Sequence, residues 1–191
     1  MKKFALLTVC LLVLVPAGYA QDGVRDGAWE FGVWTGGGTS VPGGTKDTQV
    51  MNLGGRVGKV LTPEIGPGFL AGKFEYAIDV VPVYAIFQQS TVYGAGFNPV
   101  VLKWNFTHAH KHIVPFFEIA GGTLFTQDDV PVGTNTVNFT TQAALGVQVF
   151  ARPKHSINLS ARYMHISNAG LSVPNPGINT VQFQVGFHWW K

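Results

Sequence analysis

The sequence predicts one eight-stranded antiparallel transmembrane β-barrel of the bacterial outer membrane. Charged residues make up only 12% of the chain, roughly half the usual quarter. Eight segments alternate apolar and polar residues with period two, the signature of strands. After the first twenty residues, no stretch approaches the ~20 apolar residues that a membrane helix needs. A chain low in charge and 13% aromatic can cross lipid without helices only as a closed sheet. An open sheet would leave edge N–H and C=O groups unpaired in hydrocarbon.

The first twenty residues set the compartment. Lys2 and Lys3 precede an apolar run from Phe4 to Val15, broken only by Thr8 and Cys10. Gly18-Tyr19-Ala20 then places small residues where a signal peptidase cuts. Residues 1–20 are therefore expected to be a cleaved secretory signal, and 21–191 the barrel. Cys10 is the one cysteine, so the mature chain has no disulfide, thiol nucleophile or thiolate metal site. Removing Lys2 and Lys3 takes Lys+Arg from 13 to 11 against 10 acids, a net charge of +1. With no basic run either, no nucleic-acid partner is expected.

The strands follow in order. Ala28 to Thr35 sets Trp29, Phe31 and Val33 opposite Glu30. Gln49 to Val60 sets Met51, Leu53 and Val57 opposite Asn52 and Arg56. From Gly68 to about Val81, Leu70, Phe74, Tyr76, Ile78 and Val80 oppose Lys73, Glu75 and Asp79. Gly96 to Phe106 sets Val100, Leu102, Trp104 and Phe106 against Lys103 and Asn105. Ile113 to Phe125 sets Phe117, Ile119 and Phe125 opposite Glu118. Asn138 to Ala151 sets Phe139, Leu145, Val147 and Val149 opposite Gln142 and Gln148. Ser156 to Ser167 sets Ile157, Leu159, Ala161 and Tyr163 opposite Asn158, Ser160 and Arg162. Ile178 to Trp190 sets Val181, Phe183, Val185, Phe187 and Trp189 opposite Gln182, Gln184 and His188.

One face is apolar and the other holds nearly every strand charge. A soluble sandwich is the competing architecture. The connections, read as alternately long and short, favour the barrel, with long outer loops and tight periplasmic turns. Glu30, Arg56, Lys73, Glu75, Glu118 and Arg162 are expected to fill the interior as a charged plug. Eight strands enclose a filled lumen, which disfavours a pore. The five tryptophans Trp29, Trp34, Trp104, Trp189 and Trp190 are expected to form an interface girdle and wall.

The last hairpin carries chemistry. Continuing by twos from Tyr163 gives His165 and Ser167; stepping back by two from Val181 gives Asn179. All three should project from the outer wall, at the long-loop rim. Same-face neighbours on a strand are about 6.5–7 Å apart, and a cross-strand partner about 5 Å. A base, a nucleophile and an orienting group are thus in reach of one another. Polar groups facing lipid are disfavoured, so a set of three there calls for a lipid substrate that arrives sideways.

At these residues the chain resembles a known family. His165-Ile166-Ser167-Asn168-Ala169-Gly170-Leu171, followed by Pro174-Asn175 and Gly177-Ile178, is similar to the signature of the outer-membrane lipid A 3-O-deacylases. Elsewhere the likeness is general: a leader, eight strands, and Pro115 to Gly122 in the fifth strand. The resemblance implies removal of the 3-hydroxyacyl chain ester-linked at position 3 of lipid A, the lipid anchor of lipopolysaccharide. It implies His165 as base, Ser167 as nucleophile, and Asn168 with the backbone near Gly170 as oxyanion donors. The family's acidic triad member is a glutamate, and the matching residue here is Asn179. An amide oxygen can set the imidazole tautomer but supplies no charge. Glu30, Glu75 and Glu118 point inward by parity, while Asp128 and Asp129 lie in an outer loop.

No cofactor or metal is expected. His108, His110 and His112 alternate as zinc ligands can, but they occupy a short periplasmic turn beside Lys111. Gly36-Gly37-Gly38 and Gly43-Gly44 lack the strand–loop–helix setting of a phosphate loop. The sequence leaves the choice between monomer and homodimer open.

Overall fold

The computed structural model describes residues 23–108 and 112–191, so the expected leader lies outside it, as does His110. Eight strands close into an antiparallel barrel in chain order. They are β1 (Trp29–Ser40), β2 (Gln49–Val60), β3 (Lys73–Phe87), β4 (Thr91–Asn105), β5 (Ile113–Thr126), β6 (Val137–Arg152), β7 (His155–Ser167) and β8 (Ile178–Trp190). β1 pairs with β8 from Glu30↔Trp190 to Ser40↔Thr180, which closes the cylinder.

Three strands extend well beyond their hydropathy pattern. β3 continues to Phe87 and β4 starts at Thr91, so the expected loop 82–95 shrinks to 88–90. The register slips between Val81 and Tyr84 and between Phe97 and Val100. A proline sits at each slip, Pro82 and Pro99. Proline has no N–H to give a ladder and is tolerated at bulges. Each bulge turns two consecutive residues outward, Pro82-Val83 and Pro99-Val100, which breaks the period of two. β1 likewise runs on through Gly36-Gly37-Gly38, which carry no side chain to mark a face. Gly68–Leu70 forms a 3-10 turn and β3 starts at Lys73. The long–short alternation of connections therefore does not hold. The upper end carries 41–48, 88–90, 127–136 and 168–177; the lower end carries 61–72, 106–112 and 153–154.

The interior is layered. An upper apolar plug includes Trp34, Val50, Tyr84, Ile86, Leu124, Met164, Ile166 and Ile178. A lower one contains Val24, Ala28, Val60, Val114, Phe150 and Trp190. Between them lie two ion networks. Arg56 forks onto Asp79 at 2.7 and 2.9 Å and reaches Glu118 at 2.7 Å. Arg162 meets the same Glu118 at 2.6 Å. Lys103 contacts Glu30 at 3.0 Å and Glu75 at 3.3 Å, and His188 bonds Glu30 at 2.8 Å. Beside Trp34, Arg56, Glu118 and His188 the free space is about 10 Å³, the lower limit for one water.

Three residues lie elsewhere than the sequence predicts. Lys73 is not in the plug; it sits at the lower rim, paired with Asp26 at 2.6 Å. Trp34 and Trp190 are buried inside, while Trp29 and Trp189 face out at 43% and 39% exposure. Parity explains this, since each buried tryptophan is one residue out of step with the apolar wall.

Glu118 is shared by two guanidinium groups; among the described residues, its loss leaves Arg56 with Asp79 alone and Arg162 with only the Gln142 amide oxygen. Glu118→Ala is expected to destabilise the barrel by about 3–5 kcal/mol, the typical cost of breaking a buried pair. Urea unfolding in detergent micelles measures it. A change within 0.5 kcal/mol, the range of ordinary surface substitutions, would show the network to be dispensable.

Candidate active site

The β7–β8 hairpin is held from inside. Met164, Ile166 and Ile178 are buried in the upper plug, which fixes their strands against the lumen. Alternation then turns His165, Ser167 and Asn179 outward, as expected. His165 pairs with Asn179 across the ladder, and Ser167 pairs with Phe139 of β6.

His165 Nδ1 lies 2.6 Å from Asn179 Oδ1. A carbonyl oxygen only accepts, so Nδ1 carries a proton, and in the neutral imidazole Nε2 then holds the lone pair. That is the tautomer a general base requires. Ser167, half-exposed at the end of β7, forms no hydrogen bond with His165 among the described residues. Such bonds are commonly loose before substrate binds. The buried carboxylates Glu30, Glu75 and Glu118 face the lumen, and His165 has no carboxylate partner among the described residues.

Gly177 explains how the ring fits. Its φ is +65°, and a Cβ there would lie 2.8 Å from His165 Cε1. Only glycine satisfies both conditions. The loop 168–177 is internally bonded. Asn168 Nδ2 donates to Ser172 Oγ at 2.9 Å and Pro174 O at 3.4 Å, while Gly170 N–H donates to Asn168 Oδ1 at 2.9 Å. Asn175 Oδ1 accepts from Asn168 N–H at 3.1 Å. Ser172 Oγ also donates to Thr134 O at 3.1 Å, tying this loop to 127–136.

On the outer wall, a groove of about 550 Å³ opens at His165 and crosses β7 to β4. Small residues Gly121 and Ala143 form its floor, with Leu102, Ile119 and Tyr163 beside them. Its lining is almost wholly apolar. Sequence reasoning missed the groove because it joins four strands, and the bulge at Pro99 resets which β4 residues face it.

Residues 27–188 match the family described as lipid A 3-O-deacylase (PagL). The chain belongs to this family. The crystal structure of the outer-membrane enzyme PagL superposes with a TM-score of 0.59 at 19% identity, covering 81% of this chain and 97% of that one. OprG from Pseudomonas aeruginosa gives 0.52 at 9% identity, covering 90% and 99%. Neisserial surface protein A gives 0.53 at 11% identity, covering 85% and 95%. At such identities these likenesses concern the fold alone. No curated protein matches the chain in sequence. As a PagL-family barrel, the chain is an outer-membrane protein of a lipid A deacylase family.

Proposed function

We propose that this chain is itself a lipid A 3-O-deacylase, hydrolysing the ester of the 3-hydroxyacyl chain at position 3. The observation that carries the reading is a His165–Asn179 pair beside Ser167 on the lipid-facing wall, opening on an apolar groove. A nucleophile on the outside of a barrel serves a substrate already in the leaflet. We place this end of the barrel at the extracellular rim, where lipid A resides.

His165 Nε2 takes the proton from Ser167 as its Oγ attacks the ester carbonyl. Asn168 Nδ2 and Gly170 N–H are the donors assigned to the oxyanion. In the free protein Ser172, Pro174 and Asn168 Oδ1 hold these donors, so substrate must displace at least one bond. The His165 proton then goes to the departing sugar oxygen, leaving the acyl group on Ser167. Water, deprotonated by His165, attacks that ester, and the proton returns to Ser167 as the hydroxy acid leaves.

Expression in a lipid A-producing host tests the reading by mass spectrometry. Lipid A should lose the mass of one 3-hydroxyacyl chain. Unchanged lipid A would refute it, and lysophospholipid with intact lipid A would point to a different lipid esterase.

The groove suits the scissile chain. A Cβ at Gly121 would meet nothing within 4 Å, so a larger side chain there fills the trough without disturbing the sheet. Gly121→Leu is expected to raise KM for long acyl esters while sparing short ones, at unchanged barrel stability. Equal effects on both chain lengths would remove the groove from the substrate path.

Asn179 at the acid position and the open His165–Ser167 contact favour a second reading, a barrel that keeps the hairpin without turnover. A serine-directed phosphonate discriminates: it labels Ser167 in an enzyme and leaves a structural barrel unmodified.

A further inference from the structure

We propose that Gly43 and Gly44, in the loop after β1, form a clamp that positions the Asn179 amide against His165. The catalytic meaning of this clamp rests on the function proposed above; its geometry does not.

β1 ends at Ser40, but its pairing with β8 continues. Val41 N–H donates to Asn179 O at 2.8 Å, and Thr45 N–H donates to Gly177 O at 2.8 Å. Between these two anchors Pro42-Gly43-Gly44 arches over the start of β8. The arch leaves Asn179 only 7% exposed although its parity is outward. The approach is too close for side chains. A Cβ on Gly43 would lie 2.8 Å from Asn179 Nδ2, and one on Gly44 would lie 2.8 Å from Gly177 O. Gly43 also has φ +105°, open to glycine at little cost.

The amide therefore has little freedom to turn. Its oxygen faces His165 Nδ1 and its nitrogen faces the arch. A carboxylate can hold an imidazole proton with either oxygen, whereas an amide must be fixed oxygen-first. With asparagine at this position, the chain needs something to fix it, and the glycine arch stands at the nitrogen end. Gly177 confines the ring on the far side. Gly43 and Gly44 are thus positioning residues, acting on His165 through Asn179.

Gly43→Ala and Gly44→Ala test this in the full-length refolded barrel. Gly44 carries no positive φ, so its variant pushes the arch off Gly177 without backbone strain, and it serves if Gly43→Ala does not fold. Gly133→Ala is the control, because Gly133 has φ +77° with nothing within 4 Å of a Cβ. The expected result is a fall in kcat of about 100-fold for the arch variants at unchanged KM, the scale of an ångström-sized misplacement. The control should keep its rate. The ¹⁵N signal of hydrogen-bonded His165 Nδ1–H should also be lost in the arch variants and kept in the control. This readout needs no turnover, so an inactive wild type would end the proposed function while still testing the clamp. In an Asn179→Ala background, Gly43→Ala should cost nothing more. A retained His165 signal in both arch variants, or an additive loss in that background, would overturn the proposal.

Discussion

Asn179→Asp is expected to raise the rate of lipid A deacylation, by at most about 10⁴-fold. Asparagine and aspartate have the same shape, so the 2.6 Å contact to His165 Nδ1 persists while a negative charge appears beside the ring. In the proposed mechanism that charge would stabilise the imidazolium formed when Ser167 gives up its proton. The upper bound comes from the converse change in a serine protease triad, where part of the loss is a wrong tautomer. Here the amide oxygen already sets the correct tautomer, so the gain falls below the bound. Asn179→Glu restores the residue that the family resemblance implies, but adds a methylene beneath the Gly43 arch. It should gain less than the aspartate. Initial rates on purified lipid A measure both. No gain in either variant, with the His165 Nδ1–H bond intact by NMR, would show that the charge has no part in the rate.

Ser167→Ala is expected to lower the rate in the wild-type chain by about 10²-fold, and in the Asn179→Asp background by up to about 10⁶-fold. The asymmetry follows from how triads fail. In one serine protease, losing the serine costs about 2 × 10⁶ and losing the acid about 3 × 10⁴, and the losses do not add. A chain already lacking the acid has only the remaining ratio left to lose. Release of hydroxy fatty acid, followed for all four combinations, measures the coupling. Undiminished release from Ser167→Ala in both backgrounds would remove Ser167 from the chemistry.

Much of the fold is legible in the sequence because a strand's period of two maps directly onto two environments. Glu30, Arg56, Glu75 and Glu118 stand opposite the aromatic wall in the sequence and meet inside the barrel. The same rule places His165 and Asn179 on one face, and the hairpin brings them to 2.6 Å. The rule fails where side chains carry no signal or where the period breaks. Gly36-Gly37-Gly38 extend β1 without marking a face. Pro82 and Pro99 sit at bulges that reset the count, so β3 and β4 run further than alternation shows. Lys73 has the parity of the lumen but lies at the strand's first residue, where water and Asp26 are in reach.

The amino-acid order by itself determined which side of the sheet most strand residues occupy away from the bulges, and with it an apolar wall bearing an imidazole and a hydroxyl on its exterior. Those assignments depend only on neighbours one and two positions away. The tertiary structure alone decided which distant segments touch that pair. The arch at Gly43 and Gly44, more than 120 positions before His165, covers Asn179 because β1 closes on β8. The groove exists because Val100, Gly121 and Thr141 come level with His165, and Leu102, Ile119 and Ala143 with Tyr163, only when β4 to β7 are wrapped in register. Contacts of this kind arise from closure, which no local pattern encodes.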